Sequence, residues 1–172
     1  MMARIATVLA NLFEDSEYTE PKKALEAAGH EVVTIGMKAG ETVRGKAEGT
    51  EVTIEKAIDE VEAKDFDALL IPGGYSPDQL RKHDSMLDFV RHFDSNNKWI
   101  FTICHGPQLL VNAETLKGKD ITAVKQVAID VKNAGANFYD KEVVIDKAGK
   151  LISSRTPEDL PAFDQAIVDA LK

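Results

Sequence analysis

The chain reads as an α/β domain built on a mostly parallel sheet. Four apolar runs predict buried strands at Ile5 to Ala10, Glu31 to Ile35, Ala68 to Pro72 and Trp99 to Cys104. The segments between them carry helical periodicity, and strands that alternate with helices imply parallel pairing through crossovers. A length of 172 residues, with no linker or repeat, predicts a single domain over residues 1–172.

Each element has its own signal. The first helix is expected to start near Asp15-Ser16, with Glu17 and Glu20 in its first turns, Pro21 early enough to be tolerated and Gly29 at its end. Ala39 to Glu51, rich in Gly, Thr and charge, reads as an irregular excursion or a short edge hairpin, and Ile54 to Ala63 has a helical pattern. Pro72-Gly73-Gly74 opens a turn-rich piece. Met86, Phe89, Val90 and Phe93 then follow helical spacing within Ser85 to Phe93. A helix from His105 to Leu116 follows directly on the strand ending at Cys104, which puts the cysteine at the joint. Ile121 to Val124, Glu142 to Asp146 and Leu151 to Ser153 read as short strands, and Thr156-Pro157 as the N-cap and first position of a final helix.

Composition excludes several classes of function. The net charge of -8, with no Lys/Arg cluster, argues against nucleic acid as the main partner. No apolar segment approaches the ~20 residues of a membrane helix, and Met1 to Ile5 enters a strand-like run without a signal-type apolar region, so no membrane partner and a cytoplasmic location are expected. A single cysteine makes neither an internal disulfide nor a thiolate zinc site. His30, His83 and His92 fall on expected surface elements without metal-ligand spacing, and no phosphate-binding glycine fingerprint opens the first helix. Neither metal nor cofactor is expected.

In an open parallel sheet, ligands gather at the carboxyl ends of strands, where Asn11 to Glu17, Pro72 to Asp78 and Cys104 to Gly106 all fall. A thiol opening a helix is favoured as thiolate by the helix dipole. The backbone N–H groups of His105 and of the Gly73-Gly74 loop could receive an oxyanion, and Gly106 permits the tight turn. Two plainer readings compete: a lone cysteine ending an apolar strand is often inert packing, and an acid in a first helical turn often only complements the dipole. A Glu17 carboxyl sharing the cleft with the thiol would be pushed toward its protonated form and could donate to sulfur. Glu14 and Asp15 read as a solvated loop and cap.

Asn11 to Glu17, Leu70-Ile71-Pro72-Gly73-Gly74, Ile103-Cys104-His105-Gly106-Pro107 and Ser153 to Leu160, in this order, resemble the ThiJ/PfpI family nearly end to end, and Asn133-Ala134-Gly135-Ala136 also fits. The resemblance implies a flavodoxin-like three-layer sandwich related to class I glutamine amidotransferases, Cys104 as nucleophile on an elbow and Glu17 as the acid bonded to its sulfur. The branch containing the parkinsonism-associated member has a histidine where this chain has Val124. The pattern is similar instead to the PfpI branch, in which the histidine after the cysteine, here His105, is the catalytic partner. There it is oriented by a carboxylate from a neighbouring subunit, at the position of Asp78, one methylene shorter than the glutamate of some relatives. A homodimer or higher homo-oligomer follows from that resemblance. The activities it implies are removal of reactive carbonyls such as methylglyoxal, deglycation of glycated molecules, peptide hydrolysis and redox-linked stress protection. A compact electrophilic carbonyl suits the site better than a resonance-stabilised peptide bond.

Overall fold

The computed structural model describes residues 2–172. In chain order its elements are β1 (Arg4–Val8), α1 (Asp15–Ala27), β2 (Glu31–Gly36), β3 (Thr42–Arg44), β4 (Glu51–Thr53), β5 (Lys56–Ala57) and β6 (Ala68–Ile71). Then follow α2 (Ser76–Leu80), α3 (Asp84–Ser95), β7 (Trp99–Ile103), α4 (Pro107–Ala113), β8 (Asp120–Ile121), α5 (Ala128–Asn133), β9 (Asn137–Phe138), β10 (Val144–Asp146), β11 (Leu151–Ser154) and α6 (Leu160–Ala170).

The main sheet runs β10-β11-β7-β6-β1-β2-β5, and every pairing except β10 with β11 is parallel. The chain steps one way from β1 to β2 and the other way from β6 to β7. Right-handed crossovers therefore place α1 and α3 on opposite faces, giving the flavodoxin-like three-layer sandwich. β1, β6 and β7 are covered on both sides, which is why their residues are almost all buried and why they read as unbroken apolar runs. The strand order reverses between β1 and β6, so the carboxyl ends of β1, β6 and β7 open on one crevice.

Several expectations are corrected. Ile54 to Ala63 forms no α-helix. Ile54 packs with Leu9, Phe13, Tyr18 and Val43 in a small second core, Lys56 and Ala57 extend the sheet edge, and two single 3-10 turns complete the segment. The hydrophobic spacing there serves two different cores rather than one helical face. The turn-rich piece after Gly74 contains α2, and the helix after Cys104 is shorter than expected, running from Pro107 to Ala113 with Glu114 left-handed after it. Pro21 sits inside α1 rather than near its start. Thr156 makes no side-chain cap bond; a 3-10 turn at Pro157–Asp159 precedes α6. His30 is buried, its Nδ1 accepting the Ala3 N–H at 2.9 Å. Of the two alternatives for Ala39 to Glu51, a hairpin forms, but its second strand β4 runs from Glu51 to Thr53 and pairs with β3 in a two-stranded sheet apart from the main one, and the strand expected at Ile121 to Val124 reduces to β8, paired with β9 in another two-stranded sheet.

Candidate active site

Cys104 lies between β7 and α4 with φ of 63°, a left-handed conformation that L side chains adopt at a cost of roughly 1–2 kcal/mol. Backbone bonds on both sides hold it there: its N–H donates to Ser154 O at 3.0 Å and its carbonyl accepts the Val124 N–H at 3.2 Å. The Ser153 to Leu160 motif thus acts as scaffold. Ser153 Oγ accepts the Thr122 N–H, and the Arg155 guanidinium grips Asp159 through Nε and Nη2 at 2.9 and 3.1 Å. Gly106 is required by close approach, since a Cβ there would collide with the Thr102 hydroxyl.

Glu17, fully buried in the first turn of α1, reaches the same point from β1's side. Its Oε1 accepts the Gly73 N–H at 2.9 Å, and Oε2 is buried without a hydrogen-bond partner, with the Cys104 thiol close enough for the two groups to act on each other. Burial outweighs the Gly73 bond and pushes the carboxyl up to about 8. At neutral pH it carries a proton, as the sequence reading required of a donor to sulfur. The thiol is also pushed well above its ordinary value, first by burial and then by the charge Glu17 bears when ionised, against the pull of the His105 backbone N–H. A proton on Glu17 relieves the second effect. The expectation of a thiolate at rest is therefore replaced by a buried thiol, 9 % exposed, that needs a base. His105 stands next to it, Nδ1 to Sγ at 3.4 Å, and burial together with the nearby Lys46 charge lowers its pKa, leaving a neutral imidazole.

The glycines around the thiol divide their roles. The Gly73 N–H is committed to Glu17 and the Gly106 N–H to Ile103 O, so neither is an oxyanion donor. The His105 N–H lies instead against the Cys104 sulfur. Gly74, at φ of 77°, lies against Phe13, where a Cβ would meet Glu14 N at 2.5 Å. Asp78 is not brought to the site within this chain; it is exposed on α2 and paired with Arg81 at 2.9 Å. Val124 stands beside the elbow, its N–H on the Cys104 carbonyl.

Two groups escaped the sequence reading. Asp15 is buried, and each oxygen takes loop amides: Ala47 at 2.9 Å and Glu48 at 3.2 Å on Oδ1, Thr50 at 3.0 Å on Oδ2. Burial opposes its ionisation, yet the Thr50 hydroxyl and these amides prevail and hold the carboxyl down to about 2. Glu14 is ion-paired with Lys46 at 2.8 Å. Neither is a free solvated acid.

Residues 3–170 match the DJ-1/PfpI family. The chain is 54% identical over 165 residues to "Protein/nucleic acid deglycase 2" of Escherichia coli strain K12, covering 96% of this chain and 95% of that protein. It is 50% identical over 172 residues to "Putative cysteine protease YraA" of Bacillus subtilis strain 168, covering all of both. The solved structure of Drosophila melanogaster DJ-1beta superposes with a TM-score of 0.90 at 27% identity, over 99% of this chain and 91% of that one. A doubly wound sheet with a cysteine elbow at its crevice defines the class of α/β proteins to which this one is assigned. Within it, the chain belongs to the DJ-1/PfpI family.

Proposed function

We propose that the protein is a stress-protective enzyme that removes reactive carbonyls, of glyoxalase III or deglycase type, through Cys104. The observation that carries this reading is a buried thiol flanked by a neutral imidazole and a protonated carboxyl, a set able to move protons without a cofactor. The deglycase name of a relative more than half identical supports it.

With methylglyoxal, His105 takes the thiol proton as Sγ bonds to the aldehyde carbon, and the resulting alkoxide is protonated to a hemithioacetal. The His105 amide beside the sulfur faces the charge as it develops. Loss of the C–H proton to His105 and return of a proton to the adjacent carbon, through an enediol, convert the adduct to a lactoyl thioester. Water then releases lactate and restores the thiol. The sequence is redox-neutral overall. Deglycation begins the same way, with an amine-bearing adduct as electrophile. A homodimer in which Asp78 of a second copy approaches His105 completes the proposed arrangement, in a cytoplasmic setting. The net charge of -8 favours small carbonyls and glycated small molecules over a nucleic acid polymer.

Peptide hydrolysis is the second reading, favoured by the YraA name and by the same thiol and imidazole. The test is methylglyoxal consumption and lactate formation by wild type and Cys104→Ala. Turnover lost in the variant supports the carbonyl reading; wild-type protein that cleaves peptides but leaves methylglyoxal untouched overturns it.

A further inference from the structure

The loop between β3 and β4 has no role in the chemistry above, yet it is built with unusual care. Asp15 gathers three of its amides, and Gly45 packs so tightly on the Asp15 carboxylate that any Cβ would collide with it. Lys46 N donates to Phe13 O at 2.8 Å, and Phe13 bridges to Gly45 on one side and to Gly74 on the other. The loop is thereby fixed to the segment that carries Glu14 and Glu17 and to the glycine turn beside the thiol. Its one cationic side chain, Lys46, projects over this seam. Nζ contacts Glu14 at 2.8 Å and lies 5.9 Å from the centre of the Tyr75 ring, which is itself exposed. An ammonium has three donors, and Glu14 takes one. The charge of Lys46 is felt at Glu17, Cys104 and His105 alike.

Such an anchored cation has a clear use. The Gly73 amide is unavailable to a substrate, which leaves few backbone donors for negative charge, and the Glu14 carboxylate would repel an anion were it not paired with Lys46. We propose that Lys46 is the anion-recognition group of this site, held at its rim by Glu14 and selecting electrophiles that carry a carboxylate or develop an alkoxide beside the reacting carbon. Resting on the carbonyl reading for its substrate class, this assigns specificity to a residue outside the Cys104, His105 and Glu17 set.

The test separates the two readings by using alkylation, in which sulfur displaces iodide and no turnover is needed. Rates of Cys104 modification by iodoacetate, an anion, and iodoacetamide, its neutral analogue, are compared at pH 7 by mass spectrometry for wild type, Lys46→Met and Lys46→Arg. A unit charge within several ångströms in a partly wet site changes the attraction by about tenfold. Lys46→Met is expected to lower the iodoacetate to iodoacetamide rate ratio by about that factor, and Lys46→Arg to preserve it within about twofold, since the charge is kept. A ratio unchanged in Lys46→Met, or lost equally in Lys46→Arg, overturns the proposal. The expected ratios in a protein inactive on methylglyoxal would remove the carbonyl reading and leave the role of Lys46 standing.

Discussion

Glu17→Gln isolates the energetics of the buried carboxyl. Its pKa rises from 4.5 to about 8 on folding because burial disfavours the charge. The folded protein keeps the proton while the unfolded chain releases it, so stability is full below pH 4.5 and is lost as the pH rises toward 8. Each unit of pKa is worth about 1.4 kcal/mol, and integration between pH 5 and pH 8 gives a loss of about 3.5 kcal/mol from this group alone. Glutamine keeps an oxygen for the Gly73 N–H and does not titrate. The stability of the variant relative to wild type should therefore grow by about that amount between pH 5 and pH 8. Urea denaturation at pH 5, 6.5 and 8, at fixed salt and protein concentration, measures it, and stopping at pH 8 stays below the titration of the thiol. A difference that stays flat with pH, within about 1 kcal/mol, would show that Glu17 is ionised in the folded state and would refute the argument.

The same groups set the pH dependence of activity. His105 must be neutral to accept a proton, and its lowered pKa places the acid limb of kcat/KM below the ordinary imidazole value of 6.5, while loss of the Glu17 proton places the alkaline limb near about 8. In Glu17→Gln the alkaline limb should vanish while kcat falls by about 100-fold, the usual scale of one acid-base group; a limb that persists assigns it elsewhere. For Asp78, the expected outcome is complementation: Asp78→Ala and Cys104→Ala are each impaired alone, and subunits mixed and reassembled recover activity. Such hybrids pair an intact thiol with the aspartate of its neighbour. Failure to recover, in mixtures shown to exchange subunits, removes the shared site.

The fold was legible where one element faces one core. The runs at β1, β6 and β7 are apolar because both sheet faces are covered, and Cys104 could be placed at a joint because strand and helix patterns meet there. Legibility failed where a residue's role is set from a distance. Asp15 looks like a cap in its own neighbourhood, and only the amides of Ala47, Glu48 and Thr50, more than thirty residues on, make it a buried anchor. Lys46 was missed for the same reason, since the loop that carries it is positioned by Asp15. The resting protonation of Cys104 also eluded the sequence, because the helix beginning after it is short and burial dominates.

The left-handed backbone at Cys104 sets stability against reactivity at a single position. Glycine would relax the conformation by about 1 kcal/mol while deleting the sulfur. A laboratory evolution campaign that rewarded heat tolerance alone would drift toward glycine at residue 104 and return a sturdier, inert protein. Any stabilised version of this scaffold must therefore be screened for its thiol as well as its melting temperature.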